Sequence, residues 1–138
     1  MRTTPDNPAR VWFQRVLWLG IAANLALALP TLVAPARMLA LVSLPPAAPL
    51  LWTRFAAWLL VLLSAFYVPA AIDADRFRTN AWLAVGSRLA GVVFFLTQPR
   101  EYLTLGLFDG VFFVPEAILL TLAARRHGAL RAGPAMTR

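Results

Sequence analysis

Polar residues are scarce and unevenly spaced along the chain. Between them stand four predominantly apolar stretches, residues 11–29, 50–71, 81–98 and 103–124. Each is close to the roughly 20 residues with which an α-helix crosses a hydrocarbon core. No water is available there to bond backbone amides, so a stretch of this kind satisfies itself as a helix. The pattern predicts an all-α fold, a four-transmembrane-helix bundle forming one integral membrane domain over residues 1–138.

The connection between the first two stretches, residues 30–49, is too long for a tight turn and too apolar for a solvated loop. Residues 35–44 predict a short interfacial helix, stopped at Pro45-Pro46 because proline lacks an amide donor and clashes with the preceding turn. The same segment also suits a re-entrant cap over the bundle mouth or a docking surface. The basic start and Ala26-Leu27-Ala28 raise the question of a cleaved signal peptide. Gln14 and Arg15 inside the stretch, and Pro30 after it, favour a retained helix.

Composition agrees with the pattern. The chain is 60% hydrophobic and 14% charged, against about 45–50% and about 25% in soluble domains. Its thirteen basic residues are all arginine. The net charge of +7 does not indicate nucleic acid, since the arginines lie at the termini and in loops around apolar spans. There is no cysteine, which excludes disulfides, iron–sulfur clusters and thiol chemistry. The single histidine, His127, lies in a basic tail, residues 125–138, so no histidine-rich metal site or bis-histidine haem is expected. No metal and no cofactor follow from these residues. Nor is there a hydrolytic triad: Ser43, Ser64 and Ser87 have no histidine at membrane depth.

Arginine also orients the spans. Arg2, Arg10, Arg76, Arg78, Arg125, Arg126, Arg131 and Arg138 fall on one side and only Arg37 and Arg100 on the other. Basic residues concentrate on the cytoplasmic side of membrane proteins. The expected localisation is the bacterial cytoplasmic (inner) membrane, multi-pass, with both termini inside.

Five charged residues lie within the apolar stretches: Arg15, near the inner interface to which it can snorkel, and the deeper Arg54, Arg88, Asp109 and Glu116. A charge at membrane depth costs at least ~2.5–3.5 kcal/mol on insertion scales, so these groups need a partner or a task. Counted from the span ends at 1.5 Å per residue, Arg54 matches Asp109 in height and Arg88 matches Glu116. Two polar layers are therefore expected, Arg54 with Asp109 toward the outside and Arg88 with Glu116 toward the inside. Asp109 and Glu116 are seven residues apart, hence on one helix face with Gly106, Phe113 and Leu120. Arg88 shares its side with Ala81, Ala84 and Gly91, small residues that admit close helix approach. Arg54 shares its side with Ala57, Val61 and Ala65. Asn24 falls near the upper layer, suited to an interhelical hydrogen bond. Pro115 removes an amide one residue before Glu116, and this can open a pocket or simply bend the helix. Trp52, Tyr67, Trp82 and Tyr102 fall near span ends, where aromatic belts form. Gly106-Leu107-Phe108-Asp109-Gly110 fits the helix-packing G-x-x-x-G pattern.

The series Trp52-x-Arg54-Phe55, then Tyr67-Val-Pro69-Ala-Ala71-x-Asp73-x-x-Arg76-x-Arg78, then Trp82 and Arg88 resembles DoxX-like small four-helix bacterial membrane proteins over residues 30–93. The resemblance implies an accessory membrane subunit near quinone chemistry and assigns no functional residue.

The buried charges admit two readings, a lock on helix register or a polar pocket. The second gives the expected function: a small polytopic membrane protein, non-enzymatic, acting as an accessory subunit or binding a lipid- or quinone-like amphiphile. Arg54, Arg88, Asp109, Glu116 and Asn24 would line its site. Its expected partners are membrane lipids, a quinone-like amphiphile or a subunit of a membrane complex. The alternatives are a membrane enzyme with Glu116, the deeper carboxyl, as acid/base, or a small proton-coupled transporter.

Overall fold

The structure, a computed structural model, describes residues 7–131, with side chains through Arg125. Arg2 and most of the basic tail's side chains lie outside the described residues. Five α-helices follow one another: α1 Pro8–Val33, α2 Pro35–Leu41, α3 Leu50–Ile72, α4 Arg78–Leu96 and α5 Leu103–Arg131. A 3-10 turn, Arg100–Tyr102, leads into α5. All but α2 are long and apolar enough to cross a membrane, and the four pack as an all-α bundle.

Local chemistry sets the helix ends. Asn7 caps α1 by accepting the Ala9 amide at 3.2 Å, and Pro8 occupies the first turn, where its missing amide costs nothing. The helix then runs through Pro30 to Val33, past the end expected at residue 29. The chain turns at Ala34 and α2 begins at once on Pro35, so α2 is pinned against the C-terminal end of α1. The expected helix over 35–44 stops earlier, at Leu41. Ser43 adopts φ 58, a left-handed conformation that ends the helix and lets the Leu44 amide bond to the Leu39 carbonyl at 2.8 Å. The turn between α3 and α4 is ordered by Asp73, whose Oδ1 accepts the amides of Asp75 and Arg76 at 3.1 Å each. At the far end, α5 continues as helix into the expected basic tail, as far as Arg131.

Each long helix packs against two others. α1 touches α3 and α5, α4 touches the same pair, and α1 and α4 face each other across the centre. The lower half, where α1 and α4 begin and α3 and α5 end, is solidly filled by Phe13, Leu17, Ile21, Tyr67, Ala70, Ala71, Ala81, Ala84, Val85 and Leu120. Polar ties close this end. Arg10 pairs with Asp75 at 2.8 Å, Gln14 donates to the Ile72 carbonyl at 2.7 Å and Asn80 to the Phe66 carbonyl at 2.9 Å. The outward faces carry exposed large apolar side chains, among them Leu19, Leu62, Phe66, Leu107 and Ile118. A surface this apolar over this length suits lipid rather than water.

The upper half is not solidly filled. There α2 and the loop after it cover a cavity of about 480 Å³ between the upper ends of the helices.

Candidate functional site

The buried polar residues of the bundle, Asn24, Ser64, Arg88 and Glu116, come one from each long helix. They converge at mid-height, where the packed lower half meets the cavity.

Arg88 is at the centre. Its side chain leaves α4 from the face of Ala81, Ala84 and Val85, is only 2% exposed and crosses the bundle. Nη1 donates to Asp109 Oδ1 at 2.9 Å and to Asn24 Oδ1 at 3.1 Å, joining α4 to α5 and to α1 diagonally opposite. Asn24 passes the connection to α3, its Nδ2 donating to Ser64 Oγ at 3.2 Å, and Ser64 in turn donates to the Leu60 carbonyl at 2.8 Å. The guanidinium also faces three rings, Phe112 at 4.8 Å, Tyr67 at 5.7 Å and Phe108 at 5.9 Å from its carbon to the ring centroids. A desolvated cation over aromatic faces gains about 2 kcal/mol. The Tyr67 hydroxyl is hydrogen-bonded to Ser87, which fixes the ring beneath the cation.

Two glycines make room for this arrangement. A Cβ on Gly20 would stand 2.7 Å from Arg88 Nη2 and 3.3 Å from Glu116 Oε1, so α1 approaches both groups only because it carries no side chain there. A Cβ on Gly91 would overlap the Asp109 carboxylate and lie 2.9 Å from its Cγ. Asp109 is thus pressed onto the α4 backbone.

Glu116 lies below Asp109 on the same face of α5 and is fully buried. Neither of its carboxyl oxygens has a hydrogen-bond partner among the described residues, and neither have Nε and Nη2 of Arg88. One edge of the guanidinium is committed to Asp109 and Asn24. The other turns toward Gly20, where Glu116 also points.

Three sequence expectations hold. Asp109 and Glu116 share a face with Gly106 and Leu120, Arg88 shares one with Ala81 and Ala84, and Asn24 makes a buried interhelical hydrogen bond. The pairing does not hold. Arg88 pairs with Asp109, not Glu116, and the two expected layers are one cluster. The register explains this: Gly91 lies against Asp109, Val92 against Gly110 and Phe95 against Gly106. Extending that register places Arg88 midway between the two acids, about one helical turn from each. Arg54 has no place in the cluster. It is exposed on the outer side of α3, while Thr53, Ala56 and Ala57 turn to the cavity. Among the described residues it makes no ion pair with Asp109.

Gly20, Ser64, Tyr67 and Ser87 belong to the site without having been expected there. Tyr67, assigned from sequence to an aromatic belt, is instead 2% exposed in the core. A hydroxyl pair on facing helices, Tyr67 with Ser87, was the available signal.

The cavity stands directly above. Leu27, Ala28, Met38, Leu39, Ala57, Leu60 and Leu105 give it apolar walls, and Trp52, Phe95, Tyr102 and Phe108 give it aromatic ones. Among the described residues, Asp109 is the only acidic or basic one that lines it, with its side chain 21% exposed. Glu116 does not reach it. The cavity is large enough for one small molecule, for which sites of about 300–1,000 Å³ are usual.

Comparisons with family models, with curated proteins and with solved structures return no match for this chain.

Proposed function

We propose that this chain is a non-enzymatic binder of a lipid- or quinone-like amphiphile in the bacterial inner membrane. The apolar part of the ligand occupies the upper cavity and its head group meets Asp109. One observation carries the reading: a largely apolar cavity of about 480 Å³ that ends on a single carboxylate held by a buried guanidinium. Apolar walls with a few convergent polar groups are the usual make-up of a small-molecule site. The arginine distribution supports a cytoplasmic position for both termini, which turns the cavity toward the outer face. The resemblance to DoxX-like proteins fits an accessory role near quinones and adds no residue to the site.

The orphaned carboxyl of Glu116 favours a second reading, a proton-coupled transporter in which Glu116 alternates partners with Arg88.

Filling the cavity tests the first reading. Ala56→Phe puts bulk into it without touching Asp109 or Arg88. The variant is expected to fold and to lose the lipids or quinones that co-purify with the wild type, as read by native mass spectrometry. Retention of the same molecules by a folded Ala56→Phe protein would count against the cavity as their site.

A further inference from the structure

We infer that the amphiphile taken by the upper cavity carries a positively charged, ammonium-type head group and no phosphate. The inference rests on the cavity being a ligand site and names the chemistry it selects.

Charge is the first argument. The central cluster contains two acids, Asp109 and Glu116, and one base, Arg88. The other arginines within the stretches, Arg15 and Arg54, are exposed and contribute nothing to it. Of the two acids only Asp109 lines the cavity, so the one charged side chain that a ligand meets there is a carboxylate. Low-dielectric walls strengthen its attraction for a positive group.

Position is the second argument. A head group descending through the cavity reaches Asp109 first. Arg88 stands behind that carboxylate, with its Nη1 already given to Asp109 and Asn24. Among the described residues no arginine lines the cavity. A carboxylate or phosphate head would therefore meet a like charge and no cationic partner, only the neutral donors of Thr31, Thr53, Trp52 and Tyr102. An ammonium would meet an acceptor whose two oxygens have capacity beyond the single bond from Arg88.

The walls supply the third. Trp52, Phe95, Tyr102 and Phe108 surround the same space. Aromatic faces next to a carboxylate are the usual setting in which proteins hold alkylammonium groups. A phosphate beside the ammonium, as in a zwitterionic lipid, would have no cationic partner among the lining residues, and this favours a phosphate-free cation.

The test compares head groups on matched chains. Decyltrimethylammonium, a decyl quinone, decanoate and a decyl phosphoethanolamine are titrated into the purified protein by calorimetry in neutral maltoside micelles, with protein-free micelles as blank. The cation is expected to bind saturably and at least tenfold more tightly than the other three. In Asp109→Asn that preference should collapse. Equal or tighter binding of the quinone, the decanoate or the phosphoethanolamine overturns the inference and leaves the cavity reading standing. Saturable binding by none of the four overturns both. The wild-type ranking decides the matter even if Asp109→Asn does not fold.

Discussion

Arg88 and Asn24 sit on helices that face each other diagonally, yet their side chains meet at 3.1 Å in the centre of the bundle. A single guanidinium thus joins three of the four long helices through Asn24 and Asp109, and the fourth through Ser64. Taking one partner away from such a set costs more than taking the whole set away, because it leaves buried charge uncompensated. Arg88→Met is expected to lower stability by about 3–5 kcal/mol. Arg88→Met combined with Asp109→Asn and Glu116→Gln should recover much of it. Unfolding in mixed maltoside–dodecyl sulfate micelles reads both. A triple variant no more stable than Arg88→Met would show that the guanidinium contributes chiefly through packing on Phe112 and Tyr67.

Gly20 and Gly86 give a matched pair. Gly20→Ala drives a methyl into Arg88 Nη2 and should cost about 1–3 kcal/mol, the usual range for overpacking. At Gly86 an added Cβ meets nothing within 4 Å. There Ala should stabilise α4 by about 0.5–1 kcal/mol through lost chain entropy. The same unfolding titration measures both, and the two shifts should have opposite signs.

Arg54→Gln separates the cluster from the charge that sequence alone assigned to it. Arg54 is exposed on α3, so the substitution should change stability by less than about 0.5 kcal/mol. Asp109→Asn, which removes the partner of a buried guanidinium, should cost several times more. Equal losses in the two variants would return Arg54 to the site.

Tyr67→Phe keeps the ring under Arg88 and deletes the hydroxyl bonded to Ser87. The expected loss is about 1 kcal/mol, the net worth of a hydrogen bond. Tyr67→Phe with Ser87→Ala should cost little more than Tyr67→Phe alone, since the pair is then removed together.

The four spans were legible because hydropathy over about 20 residues reports burial in lipid directly. The inward faces of α4 and α5 were legible too. A seven-residue spacing keeps Asp109 and Glu116 on one side, and Ala81 and Ala84 mark the close-packed side of Arg88. Pairing was not legible, for two physical reasons. Heights counted from span ends inherit the error of those ends: α4 begins at Arg78 and α5 runs to Arg131, beyond the hydropathic boundaries. Direction around the helix is the second. Arg54 lies on a side with Ala57, Val61 and Ala65, which looked like a packing face. α3 turns inward the side carrying Ala57, Ser64, Tyr67 and Ala71, whose polar atoms find partners on α1 and α4. The cavity was illegible as well, because it arises from how α2 and its loop fold over the bundle mouth.

The placement of Arg88 on the third span bears on how the protein is made. Its partner Asp109 lies further along the chain, so the ribosome exposes the arginine before the acid exists. The third span is also the least apolar of the four, with a mean hydropathy of 1.3 against 2.0, 2.1 and 1.8. α4 is therefore expected to wait at the translocon and enter the bilayer as a hairpin with α5, the two linked by only a short segment around the 3-10 turn. Chains cut after residue 98 should leave the third span uninserted in a glycosylation-mapping assay, and adding residues 99–125 should restore its insertion.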